Sequence, residues 1–291
     1  MLFGRHMPLG GKPVQMPGLA HEIGCDAVQI FVTNPRGWRV PDEKPEQAVA
    51  FREAAEQQEI RQLVAHAAYL INLASPRQDF FEQSVALLGA TLERAGLYGC
   101  SSVVFHIGSH IGSGEEAGLK QLAEGIQRVL DADSSRTMLL LENDVGGGGK
   151  LGYRLENLAT VLDILSDYKA RLGVCLDTAH LWGAGFDIGT PEGVDRTLEE
   201  VDSAITLARV PVIHLNDTSK ALGSHLDVHA RVGEGIIPEA GLSSFLRHPG
   251  FAEATVILET PVAELAGGEH DWVAERKHLL RARSLAVGRK D

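Results

Sequence analysis

A chain of 291 residues, 44% of them hydrophobic, buries a large core, and its length accommodates one large α/β unit as readily as two average ones. A formal charge of −12 argues against a protein that grips phosphate backbones through an overall basic surface. Three cysteines without CxxC spacing (Cys25, Cys100, Cys175) argue against thiolate zinc sites and disulfide scaffolds.

No run approaches the roughly 18 apolar residues of a membrane span. The first residues lack a basic segment followed by a sustained apolar stretch, so the expectation is a cytoplasmic protein with no membrane partner.

In chain order, a β-rich apolar run at 2–6 is followed by one at 27–32, a helical stretch at 45–59, a strand at 62–66 and a helix at 79–98. Strand 102–106, helix 115–131, strand 138–142, helix 155–172 and strand 173–177 come next. Helix 191–208, strand 210–215, helix 239–247, strand 255–259 and helix 271–286 complete the series. This alternation predicts a parallel sheet with helices packed outside it. Eight strands at this length match a closed (β/α)8 barrel, a TIM barrel formed as one domain over 1–291. An open doubly wound sheet is the rival, but no glycine-rich dinucleotide fingerprint follows the first strand. The glycines at 146–149 read as a loop at the barrel mouth, with no sign of a domain boundary.

The position of the titratable residues carries the functional reading. Six of the last seven predicted strands close on His66, His106, Glu142, Asp177, His214 (one residue early) or Glu259. In a barrel those ends converge on the mouth where active sites of this fold are built. His180 follows Asp177 in the next loop, and Asp227 and His229 lie in a later one, giving five imidazoles and four carboxylates in all.

Taken singly, a histidine ending a strand is more often a hydrogen-bonded structural residue, and an acidic one a helix cap. Repetition at six strand ends outweighs those roles. Four clustered carboxylates require compensation, and the donor mixture suits zinc, with manganese an option for the carboxylates. Nine ligands exceed what one ion needs, so two or three ions are expected, with Glu142 or Glu259 bridging. His6, His110, His225 and His248 lack such support and are assigned structural or supporting roles.

With these residues placed, the chain resembles the endonuclease IV family of metal-dependent apurinic/apyrimidinic endonucleases over about residues 4–261. The resemblance rests on His66-Ala-Ala-Tyr69-Leu70-Ile-Asn-Leu, Phe105-His106-Ile-Gly-Ser-His110 and Leu141-Glu142-Asn143. It continues with Gly173-Val-Cys-Leu-Asp177-Thr-Ala-His180, His214-Leu-Asn-Asp217, Asp227-Val-His229, Gly233-Glu-Gly235 and Leu258-Glu259-Thr260.

It implies one zinc on His66, His106 and Glu142, a second on Glu142, Asp177, His214 and Glu259, and a third on His180, Asp227 and His229. It further implies hydrolysis of the phosphodiester 5′ to an abasic site in double-stranded DNA, together with trimming of blocked 3′ ends. The expected nucleophile is a water or hydroxide shared by the metals and oriented by the catalytic carboxylate, Glu142 or Glu259. Arg36, Tyr69 and Leu70 would handle DNA, wedging into the stack while the abasic nucleotide flips out. A monomer is expected. Three divalent ions would halve the net charge of −12 and place positive charge at the mouth.

Two departures stand out: Arg5 where the family carries a small residue, and a segment at 224–230 without its usual basic residues. The second puts phosphate affinity in question. The rival readings are a metal-dependent sugar isomerase or epimerase of the related barrel type, and a zinc-loaded DNA-binding protein without turnover.

Overall fold

The computed structural model describes residues 1–10, 12–42, 44–265 and 269–287. Strands β1 (Leu2–His6), β2 (Ala27–Ile30), β3 (Gln62–His66) and β4 (Ser102–His106) run parallel in chain order. They are joined by β5 (Met138–Glu142), β6 (Leu172–Asp177), β7 (Val212–His214) and β8 (Thr255–Leu258). Pairing of β8 back onto β1, Leu2 with Thr255 through Arg5 with Leu258, closes the barrel.

The helices are α1 (Met16–Glu22), α2 (Pro45–Gln57), α3 (Gln78–Leu97), α4 (Glu115–Ala132) and α5 (Leu155–Ile164). They continue with α6 (Thr178–Ala184), α7 (Pro191–Ala204), α8 (Glu239–Arg247) and α9 (Trp272–Val287).

The two-residue period of a strand decides what lies inside the barrel. Ala27, Val64, Val104, Leu140, Cys175, Val212 and Ile257 form a fully buried inner plug, separate from the larger apolar layer between sheet and helices. Gly4 belongs to this inner series. A Cβ there would run into the Ala27 carbonyl oxygen, so the close approach of β1 and β2 requires glycine. Outward residues such as Val28, Val103, Leu139, Val174 and Val256 meet the helices.

The strand pattern holds with end adjustments: β2, β7 and β8 are shorter than the apolar runs, and β6 starts one residue earlier. Two helices stop four or more residues early. The stretch expected to be helical over 155–172 ends at Ile164, because Leu172, apolar and in phase with the helix, pairs with Leu139 in the sheet. The helix expected to reach 208 ends at Ala204. There Thr206 adopts φ 69° and the Asp202 carboxylate accepts the Leu207 N–H at 2.8 Å, ending the helical pattern. Helices α1 and α6 have seven residues each, too few for helical periodicity to declare itself. His180, expected in a loop, therefore lies on α6, where Asp177 caps the helix by accepting the His180 N–H at 2.9 Å.

Arg5 faces outward beneath α9, fully buried against the equally buried Glu275. Its Nη2 also donates to the Thr260 carbonyl at 3.0 Å. Glu275 receives Arg231 at 2.6 Å and the Ala263 N–H at 2.7 Å, tying β1 and α9 to the loops after β7 and β8. Removing one partner strands uncompensated charge. Glu275→Ala is therefore expected to cost about 3–5 kcal/mol of unfolding free energy by chemical denaturation. An unchanged denaturation midpoint would contradict that role.

Candidate metal centre

One step of the strand period above the apolar plug, every strand contributes a polar side chain. Gly4, Ala27, Val64, Val104, Leu140, Cys175, Val212 and Ile257 are followed two residues later by His6, Gln29, His66, His106, Glu142, Asp177, His214 and Glu259. The ring at the barrel mouth is thus a direct consequence of strand registration.

Glu142, fully buried, is its centre. Its Oε2 lies 3.2 Å from His66 Nε2 and 3.4 Å from His106 Nδ1, and its Oε1 lies 3.1 Å from His214 Nδ1. Glu259 Oε2 approaches the same His214 Nδ1 at 3.0 Å. On the other side, Asp227 Oδ1 stands 3.3 Å from both His180 Nε2 and His229 Nε2, and Asp177 Oδ2 is 3.5 Å from His229 Nε2.

All nine expected residues therefore meet. Potential ligand atoms of Glu142, Asp177, His214 and Glu259 fall within 4.8 Å of one another, as do those of His66, Glu142 and His214, and those of Asp177, His180 and His229. Asp227, the most exposed member, reaches in from the loop between β7 and α8. The Asp217 carboxylate shapes that loop by accepting the backbone N–H groups of Thr218, Gly233, Gly235 and Ile237.

These donors fit divalent cations. His106 Nδ1, His180 Nε2 and His229 Nε2 are buried without a hydrogen-bond partner, each facing carboxylate oxygens. In two of the ligand imidazoles the other ring nitrogen is engaged: His66 Nδ1 donates to the Ala67 carbonyl at 2.8 Å and His180 Nδ1 to that of Asn143 at 2.9 Å. This is how ligand imidazoles are oriented in metal sites.

Three supporting residues escape a reading that looks for titratable strand ends. Gln29 accepts from His214 Nε2 at 2.8 Å and donates to Glu259 Oε1 at 2.5 Å. Asn216 donates to Asp177 Oδ2 at 2.6 Å and accepts the Glu259 N–H at 3.1 Å. Asn143 accepts the Asp177 N–H at 2.7 Å. Asn143 and Asn216 each follow a strand-end ligand closely in sequence, which is the available signal; Gln29 has none.

The cavity over the ring, about 660 Å³, is lined by His6, Phe31, Tyr69, Glu259 and four of the ligand histidines, His66, His106, His180 and His229, among others. Tyr69 is 56% exposed, with its ring 5.5 Å from Phe31 and 6.0 Å from His106. Leu70 beside it is half-buried, and Arg36 is exposed on the neighbouring loop. A bond from the Tyr69 N–H to the Pro35 carbonyl at 3.1 Å holds the two loops together.

Without metal, burial opposes charge on Glu142, Glu259, Asp227, His66, His106, His180 and His214. For Glu142 it is outweighed by His106 and His214, which hold the carboxyl well below its usual range. Against the same burial, His214 and His66 depress Glu259, and His180 depresses Asp227. Burial also works against charged His180, His214 and His66, yet neighbouring carboxylates raise His180 and His66, and Cys175 together with Glu259 and Glu142 raises His214. For His106 burial prevails, and it pushes His6 down to about 3 and, away from the site, His278 down to about 4.

The raised imidazoles stabilise the fold fully below their unfolded value of 6.5 and lose that contribution as pH climbs through their raised values. The lowered ones cost stability as pH falls below 6.5. The depressed carboxylates, whose contribution is present above their unfolded values near 4, lose it in still stronger acid. Chelator-treated protein is therefore expected to melt highest near pH 6.5, and zinc, which needs neutral imidazoles, to move that maximum upward. Thermal melts across pH with and without chelator test this; a chelated protein most stable at about pH 8.5 would contradict it.

The fold recurs in known proteins. Residues 17–282 match the family described as Xylose isomerase-like TIM barrel. The chain is 44% identical over 265 residues to "Probable endonuclease 4" of Methanoculleus marisnigri, covering 91% of this chain and 94% of that protein. The crystal structure of endonuclease IV from Thermus thermophilus superposes with a TM-score of 0.84 at 35% identity, covering 98% of both chains. A D-tagatose 3-epimerase-like protein aligns with a TM-score of 0.72 at 20% identity over 99% of this chain and 98% of that one, a likeness of fold alone. From the closed barrel, the converging carboxylates and imidazoles, and these similarities, the chain belongs to the endonuclease IV family.

Proposed function

We propose that this chain, acting as a single-domain monomer, is a DNA-repair hydrolase. It cuts the phosphodiester 5′ to an abasic site in double-stranded DNA and trims blocked 3′ ends. The single observation that carries the reading is the convergence of five imidazoles and four carboxylates around Glu142, a donor set large enough for three zinc ions. His66, His106 and Glu142 would hold the first; Glu142, Asp177, His214 and Glu259 the second; His180, Asp227 and His229 the third. Manganese would suit the carboxylate-rich site. Bound zinc supplies a nucleophilic hydroxide near neutral pH and charge stabilisation at the phosphate.

The side chains supply the rest. Glu142 and Glu259 orient the attacking water, and Gln29 and Asn216 fix Glu259 in place. Tyr69 and Leu70 occupy the gap left by the flipped nucleotide, and Arg36 meets the backbone. The charge of bound metals would offset the chain's acidity at the mouth, a partial answer to the objection raised by its composition.

Elemental analysis of purified protein, beside cleavage of an abasic oligonucleotide and a panel of ketoses and aldoses, tests the reading. The expected result is close to three metals per chain with DNA cleavage. One metal with sugar turnover would favour the epimerase reading, and full metal content with DNA binding but no cleavage the non-catalytic one.

Tyr69→Ala is expected to retain the metals but weaken binding of abasic duplex by roughly tenfold, the usual worth of one aromatic stacking partner. An unchanged Kd at fixed salt would remove Tyr69 from the interface.

A further inference from the structure

We propose that His6 is a further catalytic residue: its Nε2–H donates a hydrogen bond to an oxygen of the nucleotide seated against Glu259, in a tautomer imposed by Gln29. This rests on the phosphodiesterase reading above and adds a residue outside the nine expected ligands.

The Gln29 side-chain amide is oriented from two sides. Its Oε1 accepts from His214 Nε2 at 2.8 Å, and its Nε2 donates to Glu259 Oε1 at 2.5 Å. Flipping the amide would set its oxygen against the Glu259 carboxylate and its NH2 against the His214 N–H, so the opposite orientation is disfavoured twice. The same Gln29 Nε2 lies 3.1 Å from His6 Nδ1. Facing a donor, Nδ1 must accept, and a neutral imidazole that accepts on one nitrogen carries its proton on the other.

Burial favours that neutral form at physiological pH. Phe31, 4.4 Å away between ring centroids, steadies the ring. Among the described residues Nε2 has no protein partner, nor is it enclosed, and His6 lines the cavity together with Glu259, His66 and Tyr69.

The chemistry follows from the placement. An uncharged imidazole protonated on Nε2 forms no ion pair with Glu259 and does not compete for the cations the carboxylates hold. It remains free for a phosphate or sugar oxygen, where a preset donor counts most as negative charge builds during bond cleavage. Gln29, by contrast, is a positioning residue that acts through Glu259, His214 and His6.

The test uses the zinc-loaded protein and abasic duplex with His6→Leu and His6→Gln, since a glutamine amide nitrogen can stand near the position of His6 Nε2. His6→Leu is expected to lower kcat/KM by about 10²-fold or more, with zinc content at the wild-type level. His6→Gln is expected to recover to within about tenfold of wild type. Nitrogen-15 NMR of histidine-labelled wild type should show His6 protonated on Nε2, and Gln29→Leu should lose that single-tautomer signature.

Wild-type turnover by His6→Leu, equal losses in the two variants, loss of zinc in His6→Leu, or His6 protonated on Nδ1 would each overturn the proposal. A wild-type protein that leaves abasic DNA uncut would instead sink the functional reading and carry this proposal with it.

Discussion

Glu259→Gln is expected to abolish cleavage of an abasic-site duplex while leaving its binding measurable. Glu259 Oε2 lies 3.0 Å from His214 Nδ1 and its Oε1 receives Gln29 at 2.5 Å, so the carboxylate joins the ligand ring to the cavity. Glutamine preserves the volume and, through its amide oxygen, the contact with Gln29. The loss is therefore charge at the reacting centre rather than packing. Removing one preorganised electrostatic group from such a site costs about 10²–10³ in rate, and removing one that also holds a cation should cost more. Single-turnover cleavage beside fluorescence anisotropy on the same duplex separates the two effects. Cleavage at the wild-type rate would refute the catalytic role of Glu259.

Glu142→Ala is expected to act more deeply, on metal content itself. Among the described residues Glu142 is the one carboxylate within 3.5 Å of four ring histidines: His66, His106, His180 and His214. Without it the ring loses its central anion. The variant is expected to purify with at least one metal fewer per chain and to cut abasic DNA about 10³-fold more slowly or worse. Elemental analysis and initial rates at saturating zinc check both parts. A variant with full metal content and an undiminished rate would show that Glu142 bridges nothing.

Much of this could be read from the chain because strand geometry is local and repetitive. Alternating side chains and short apolar runs make a strand's last inward residue visible, so His66, His106, Glu142 and Asp177 declared themselves as a series. Barrel closure was legible because eight such runs, separated by helical stretches, leave few other parallel arrangements.

What escaped was long-range or short in sequence. His6 and Gln29 occupy the same inward ring, but one had no visible support and the other is not titratable; their roles arise only from contacts with Glu259 and His214 across the barrel. Arg5 looked like a bare departure from the family because its partner Glu275 comes from the far end of the chain. The acidic composition argued against nucleic acid because net charge carries no information about which charges are gathered at one mouth.

The most direct test of the account is a crystal structure of the zinc-loaded protein with anomalous scattering recorded at the zinc edge. Separate zinc peaks are expected at the barrel mouth: between His66, His106 and Glu142; between Glu142, Asp177, His214 and Glu259; and between His180, Asp227 and His229. A single peak, or none among these side chains in protein that cuts abasic DNA, would contradict it.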